Sequence, residues 1–305
     1  PELSKYAHLM NDDGTLDKIV GYTETTRGCK HTCRHCPIVP VYDGKFRLVQ
    51  KDVVLADIRQ QVDDGAEHIT FGDPDFLNGP GHVIPIVEEL HQTFPDLTYD
   101  VTIKVEHLLQ HADLLPTLKN TGCALITSAV ESLDEKLLQI LDKGHSRDDF
   151  IRAVELTREH ELNLNPTFVT FTPWTTMDDY RQLLQTIHDL DLIPNVSPVQ
   201  LAIRLLIPHG SKLLDVPETH DFIADFNQQE LVYPWTHPDY RMEILHSRVR
   251  EIVQESTAQR LDRFTTFDRV WNALNDISGQ AIELHNSRNH QKRSSIPYLN
   301  EPWYC

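Results

Sequence analysis

Cysteine is scarce in this chain of 305 residues, which contains only five. A disulfide framework needs an even number of cysteines spread along a short secreted chain, but here three of the five lie close together, at Cys29, Cys33 and Cys36. Cys123 and Cys305 are isolated in the sequence. This usage argues against a disulfide-stabilised scaffold and predicts a reducing, cytoplasmic environment.

The chain also lacks long apolar runs and an excess of basic residues. No segment approaches the roughly 20 apolar residues that cross a bilayer, and no signal peptide is visible, so no membrane partner is expected. The formal net charge is −18 at pH 7, which argues against a nucleic-acid partner because phosphate binding needs a basic face. The alternative is a local basic patch, for which residues 286–293 are the candidate.

Strand-like and helix-like segments alternate along the first two thirds of the chain. The predicted strands are 18–25, 67–74, 97–108, 123–132, 164–173 and 198–208, and the predicted helices are 51–64, 82–94, 112–122, 134–144, 146–160 and 177–190. Such alternation predicts an α/β fold with a parallel sheet, either open or closed into a barrel. After Pro208 the alternation of strands and helices ends, and residues 209–305 are predicted to be a mostly helical extension packed on the barrel.

The three clustered cysteines have the spacing C-x3-C-x2-C. A structural zinc site needs four ligands, so His31 or His35 would have to complete it, and thiol catalysis needs only one or two cysteines. A [4Fe–4S] cluster held by three thiolates leaves one iron open to a substrate or cofactor. The loop directly follows the first predicted strand, at the end where α/β folds place their active sites. The cluster interpretation is therefore favoured over zinc.

This pattern resembles the radical S-adenosylmethionine (SAM) superfamily over about the first two thirds of the chain. The resemblance implies a partial (β/α)6 barrel at residues 1–208 and an extension at 209–305 that covers the barrel mouth. It also implies that the open iron chelates SAM, and that one electron then breaks a carbon–sulfur bond to release a carbon radical. The electron would come from a donor such as a flavodoxin or ferredoxin. His35 stands where the family usually has an aromatic residue near the adenine.

The resemblance implies further SAM contacts after the second and fourth strands. Gly72, Asp73 and Pro74 stand where the family has a glycine-rich turn that grips the SAM amino group, although Asp73 departs from the usual residue. The alternative is an ordinary strand-to-helix turn. Glu131 and Ser132 match an acidic–small pair that commonly faces SAM, against the alternative of a solvated acid at a strand end.

Three more candidates lie at the ends of the fifth and sixth predicted strands. Thr170 is expected to line the barrel mouth, and the segment around Leu206 is expected to lie beside the adenine. Arg204 is a charge in an apolar run and must find a partner. It either anchors the SAM carboxylate or an anionic substrate, or it forms a structural salt bridge.

The chain ends in "LNEPWYC", with Cys305 as its last residue. This tail resembles that of a small radical-SAM group ending in paired cysteines or selenocysteine, a group close to the radical-SAM enzyme of arsinothricin biosynthesis. The resemblance implies transfer of a 3-amino-3-carboxypropyl group from SAM to trivalent arsenic, with Cys305 as the thiol that binds the acceptor. A soft thiolate suits such a thiophilic acceptor. The alternative is an inert chain end.

Two enzyme hypotheses and one non-enzymatic hypothesis follow. The first is aminocarboxypropyl transfer to arsenite or another soft small-molecule acceptor, and the second is hydrogen abstraction from a natural-product precursor by a 5′-deoxyadenosyl radical. The third is a zinc or iron–sulfur protein without catalysis. An RNA methylthiotransferase is disfavoured because no second cluster motif is present. A cobalamin-dependent enzyme is not expected because the residues before position 18 are too few for the extra domain.

Overall fold

One main sheet organises the protein, seen here as a computed structural model that describes residues 2–11, 14–284 and 297–300. Cys305 and the basic patch predicted at 286–293 lie outside the described residues. The strands are β1 (His8–Met10), β2 (Leu16–Thr23), β3 (Thr26–Gly28), β4 (Phe46–Leu48), β5 (His68–Phe71), β6 (Thr98–Thr102), β7 (Cys123–Glu131), β8 (Leu164–Phe168) and β9 (Tyr298–Leu299). Strands β3 and β4 pair in a separate two-stranded sheet, and the others form the main sheet.

Five strands of this sheet run parallel. The order is β8-β7-β6-β5-β2-β1-β9, and β2, β5, β6, β7 and β8 form consecutive parallel pairs. Their carboxyl ends therefore meet at one edge, called the mouth below, which is formed by Thr23, Phe71, Thr102, Glu131 and Phe168. The expected α/β fold with a partial parallel barrel is confirmed.

Helices follow the parallel strands and cover their outer face. They are α1 (Val39–Tyr42), α2 (Lys51–Asp63), α3 (Pro80–Thr93), α4 (Val105–Gln110), α5 (Leu115–Asn120), α6 (Glu135–Leu141), α7 (Arg147–Glu159), α8 (Met177–Asp189), α9 (Tyr240–Ala258) and α10 (Arg263–Ser278). Capping boxes begin two of them, where Ser146 and Thr176 exchange hydrogen bonds with Asp149 and Asp179. None of the helices in the described ranges has the length and apolarity to cross a bilayer.

The sixth predicted strand, 198–208, is wrong as a regular strand. Residues Pro198–Leu201 form a 3-10 turn because the backbone bonds locally, with Gln200 N–H donating to Ser197 and Ala202 N–H donating to Val199. Only a single parallel bridge remains, between Phe171 and Arg204. In the described residues the barrel thus has five regular parallel strands, and the sixth is reduced to this single bridge.

The core lies between the sheet and its helices, and the C-terminal helices belong to it. Buried side chains of β5, β6 and α3 pack in the same apolar cluster as Leu245 and Val249 of α9 and Val270 and Leu274 of α10. The predicted helical extension therefore packs on the barrel and shares its core. At about 25 cal/mol per Å², burying each such side chain stabilises the fold by about 2 kcal/mol.

One segment of the extension contacts the cysteine loop at the mouth. The Ser211 hydroxyl donates to the Arg34 carbonyl at 3.0 Å, and Lys212 pairs with Asp43 at 3.3 Å. At the other edge of the sheet β9 and β2 are both antiparallel to β1, so β9 runs parallel to β2. Strand β9 lies at the level of Leu16 and Lys18, at the amino end of β2 and away from the mouth.

Candidate active site at the cysteine loop

The cysteine loop joins β3 to α1 at the mouth. Cys33 is buried, Cys29 and Cys36 are partly buried, and all three are free thiols. Burial raises the pKa of Cys29 and Cys36, and the neighbouring thiols raise it further. Cys29 and Cys36 therefore favour the thiol form until a cationic centre binds them as thiolates. This is the behaviour of a metal-binding loop.

The described residues provide no fourth cysteine at this position. Cys123 begins β7, whereas Glu131 at the end of the same strand reaches the cysteine loop. Eight steps of about 3.3 Å separate the two ends, so Cys123 lies roughly 26 Å from the mouth. Cys123 is buried, its pKa is raised by burial, and it acts as a small core side chain.

Asp73 is bound to the turn between β2 and β3. Its carboxylate is almost fully buried and accepts hydrogen bonds from the Thr25 backbone N–H at 2.9 Å, the Thr25 hydroxyl at 2.6 Å and the Thr26 hydroxyl at 2.5 Å. The side chain thereby joins the end of β5 to the start of the cysteine loop. Asp73 was expected to contact SAM, but in the structure its oxygens serve as an anchor for the loop.

Gly72 precedes this anchor, and the neighbouring Tyr22 leaves no space for a side chain at this position. A Cβ at residue 72 would lie 1.8 Å from the Tyr22 hydroxyl, so any side chain would displace the tyrosine ring. The Gly72 N–H donates to the Thr23 carbonyl at 2.8 Å, which ties the ends of β2 and β5 together. Pro74 is partly exposed next to them at the mouth.

His35, Glu131 and Lys143 form a buried polar cluster against the cysteines. Glu131 Oε1 lies 3.1 Å from His35 Nε2 and 3.2 Å from Lys143 Nζ. Burial alone would raise the pKa of Glu131, but the charges of Lys143 and His35 lower it to about 2. Glu131 is therefore an ionised acceptor that faces both Lys143 Nζ and His35 Nε2. The other ring nitrogen, Nδ1, is buried without a hydrogen-bond partner.

The backbone brings Glu131 into this cluster. A bulge interrupts the pairing of β7 with β8 after Ala129, and Glu131 adopts a left-handed conformation with φ of 67°. Such a conformation costs about 1 kcal/mol or more for a non-glycine residue and is held here by the ion pair. Lys143 follows α6, and the negative charge of Glu131 raises its pKa against the opposing effect of burial.

The remaining predicted site residues lie in different surroundings. Ser132 uses its hydroxyl to accept from the Asp134 N–H, and Thr170 is buried and donates to the Ile203 carbonyl. Arg204 makes two 3.0 Å hydrogen bonds to Glu243 and stacks on Trp235, with its guanidinium carbon 3.5 Å from the ring centre. That arrangement is the structural salt bridge considered above. Leu206 is 66% exposed, because no strand continues through it.

Three residues at the mouth, Lys143, Asp75 and His107, were missing from the predicted site, and His31 entered it only as a possible zinc ligand. A lysine between two apolar helices, as Lys143 is, is itself a signal. The side chains of His31, Asp75 and His107 come together from the cysteine loop, the turn after β5 and helix α4. Each follows a different strand, β3, β5 or β6, and a search for polar residues after strand ends would have found the last two.

Comparison with known proteins places these features in a family. The sequence profile of the "Radical SAM superfamily" matches residues 23–187. The bacteriochlorophyllide d C-8(2)-methyltransferase of Chlorobaculum tepidum is 23% identical over 172 residues, 52% of this chain and 37% of that protein. The tRNA-2-methylthio-N(6)-dimethylallyladenosine synthase of Lawsonia intracellularis is 21% identical over 203 residues, 62% of this chain and 44% of that protein. The chain thus spans less than half the length of these curated relatives.

A solved structure shows the same fold over most of the chain. The cobalamin-dependent S-adenosylmethionine radical enzyme OxsB, with aqua-cobalamin and S-adenosylmethionine bound, superposes with a TM-score of 0.62. The match covers 84% of this chain and 49% of OxsB at 15% identity, so it bears on the fold alone.

Proposed function

Since the chain belongs to the radical SAM superfamily, we propose that it is a transferase that cleaves SAM at the cysteine loop and transfers a carbon group to a small-molecule acceptor. The family's cofactors are a [4Fe–4S] cluster and SAM, and the donor set at the mouth fits both. The observation that carries the proposal is the loop of three free thiols, Cys29, Cys33 and Cys36, with no fourth cysteine beside it in the described residues.

The residues around the loop would hold and shield these groups. When bound, the cluster and SAM supply one-electron cleavage of a carbon–sulfur bond. Cys29, Cys33 and Cys36 would ligate iron, and the unpartnered Nδ1 of His35 is the buried polar atom available to a ligand over the loop. Lys143 places a buried positive charge near Cys36, which favours the thiolate form of that residue.

The finer proposal concerns the group transferred and its acceptor. We infer a 3-amino-3-carboxypropyl group and trivalent arsenic, with formation of a carbon–arsenic bond as in organoarsenical biosynthesis. The support is the resemblance of the tail to the cysteine and selenocysteine group, in which Cys305 would bind the acceptor. Cys305 lies outside the described residues. A flavodoxin or ferredoxin would supply the electron.

A second candidate is transfer of a methyl or methylthio group. It is favoured by the activities of the relatives, which include methyltransferases and methylthiotransferases. Hydrogen abstraction from a natural-product precursor by a 5′-deoxyadenosyl radical, the other enzyme hypothesis from the sequence, is an alternative reaction at the same site. These candidates differ in which bond of SAM breaks, and therefore in the adenosine-containing product.

The test is an anaerobic assay of the cluster-loaded protein. The chain is reconstituted with iron and sulfide, SAM and dithionite are added with and without arsenite, and the products are identified by mass spectrometry. Methylthioadenosine that increases with arsenite supports aminocarboxypropyl transfer to arsenic. 5′-Deoxyadenosine or S-adenosylhomocysteine refutes that transfer and supports the second candidate.

Two variants separate the site from the rest of the protein. Cys33→Ala is expected to abolish both the cluster absorption and SAM cleavage, whereas Cys123→Ala, in the core and roughly 26 Å from the mouth, is expected to retain both. Wild-type protein that carries a full cluster and cleaves no SAM would refute the enzyme proposal and favour a binding protein without catalysis.

A further inference from the structure

Three metal-ligating side chains meet beside the cysteine loop without taking part in the site described above. His31 lies within the loop, Asp75 follows β5, and His107 lies on α4 directly after β6. Their ligand atoms all lie within 4.8 Å of one another. Asp75 and His107 are fully buried, and the side chain of His31 is 16% exposed. The group is therefore closed on the protein side and open only at the mouth.

The separations suit one ion between the two imidazoles and the carboxylate. His31 Nε2 lies 3.3 Å from His107 Nε2 and 3.5 Å from Asp75 Oδ2. Ligands about 2.1 Å from a tetrahedral ion are about 3.4 Å apart, which matches both distances. Two neutral histidines and one carboxylate with open positions are a ligand set of catalytic zinc and non-haem iron.

The polar atoms of the group are poorly satisfied without an ion. Asp75 accepts from the Lys104 backbone N–H through Oδ1, while Oδ2 has no well-formed hydrogen bond. His107 Nδ1 lies 2.6 Å from that Oδ2, yet the two are misaligned and His107 Nδ1 is also without a partner. Buried polar groups are nearly always paired, so the unpaired Asp75 Oδ2, which faces two imidazoles, points to a missing ligand.

The charges around the group favour a cation. Asp75 supplies a carboxylate oxygen at the centre of the group, since its Oδ2 lies 2.6 Å from His107 Nδ1 and 3.5 Å from His31 Nε2. A second carboxylate, Glu106 Oε2, lies 3.8 Å from His31 Nδ1 on the far side of the ring. A carboxylate that faces the other ring nitrogen is the usual arrangement behind a ligating histidine.

We propose that His31, Asp75 and His107 bind one divalent first-row transition-metal ion, distinct from the iron–sulfur cluster and open to the mouth. The open positions would take an oxygen or nitrogen atom of the acceptor and place it next to the cysteine loop. This inference goes beyond the proposed function, and it rests on side chains that the SAM chemistry does not use.

The test measures cobalt binding to the cluster-loaded protein, with no SAM present. Protein reconstituted with iron and sulfide is desalted and titrated anaerobically with Co²⁺, followed by visible absorption and by metal analysis. We expect one Co²⁺ per chain beyond the cluster, with the d–d bands of nitrogen and oxygen ligands and without sulfur-to-cobalt charge transfer. No additional Co²⁺, or a sulfur-ligated spectrum, would overturn the proposal.

Variants assign the site. His107→Gln and the isosteric Asp75→Asn are each expected to weaken Co²⁺ binding at least about tenfold while the iron and sulfide content stays that of the wild type. His111→Gln is the matched control, because His111 lies one turn further along, its ring 5.6 Å from that of His107, and is outside the group. Wild-type affinity in Asp75→Asn, or an equal loss in His111→Gln, would refute the assignment. This readout is independent of SAM cleavage, so the two proposals fail separately.

Discussion

Replacing Lys143 by methionine is expected to destabilise the fold strongly, because it leaves the Glu131 carboxylate buried without its main counter-charge. Lys143 and Glu131 are both buried, with 3.2 Å between Nζ and Oε1. The pKa of Glu131 is about 2, compared with 4.5 for an unperturbed glutamate. That difference corresponds to about 3 kcal/mol of stability at neutral pH. Removing one partner of a buried pair typically costs about 3–5 kcal/mol, which agrees.

The same pair predicts how stability depends on pH. The folded-state pKa of Glu131 lies below its unfolded value, so its contribution is fully present above about pH 4.5. It is lost as the pH falls towards 2, because the unfolded chain then binds a proton that the folded chain does not. In Lys143→Met this acid limb should be shallower, since the cation that depresses the pKa is gone.

The assay is urea unfolding of cluster-free protein at pH 7, followed by circular dichroism, with the m-value checked for each variant. Lys51→Met is the matched control, since Lys51 pairs with Glu89 on the surface and an exposed pair contributes at most about 1 kcal/mol. The double variant Glu131→Gln/Lys143→Met should recover part of the loss, because no charge is left buried. A loss below about 1 kcal/mol for Lys143→Met, or a double variant less stable than Lys143→Met itself, would show that the pair does not act as described.

Three further outcomes follow from the structure. Asp73→Asn should lower the iron bound per chain after reconstitution, because an amide cannot accept all three hydrogen bonds that anchor the cysteine loop; unchanged iron content would contradict this role. Arg204→Lys should reduce stability by about 1–3 kcal/mol in urea unfolding, since lysine cannot make the paired hydrogen bonds to Glu243. The pKa of His145 is lowered to about 4 by burial and by Lys143. Wild-type stability should therefore fall as the pH drops from 6.5 towards 4, and His145→Gln should flatten that fall.

The parallel half of the barrel was predictable because its strands carry a local signal. Strands β5 to β8 are largely buried, and their short segments carry β-branched and aromatic residues between turn residues. The sixth predicted strand is wrong for a physical reason, since Pro198 lacks an N–H and the side chain of Gln200 accepts from the Phe168 N–H that a neighbouring strand would have bound. The β3–β4 pair was missed because each of its strands has only three residues.

The site was predictable where the chemistry lies in one short segment and not where it depends on chain packing. The spacing of Cys29, Cys33 and Cys36 is a local pattern, and their cluster is visible in eleven letters of sequence. In contrast, the partner of Asp73 is decided by which loop packs against the end of β5. The position of Asp73 after a strand end predicts a contact with SAM, but in the structure its carboxylate accepts hydrogen bonds from the β2–β3 turn.

Three buried acids lie at the mouth, and they differ in how the negative charge of each carboxylate is balanced. Asp73 is satisfied by hydroxyl and backbone donors without any counter-charge, and burial raises its pKa. Glu131 is satisfied by a full cation, Lys143, which also lies beside the cysteines. Asp75 has neither a complete set of donors nor a fixed cation, only two titratable imidazoles. A buried carboxylate in that state is stable only if an imidazole is protonated or a metal ion is bound. Of the three acids, Asp75 is therefore the one whose negative charge a bound metal ion would balance.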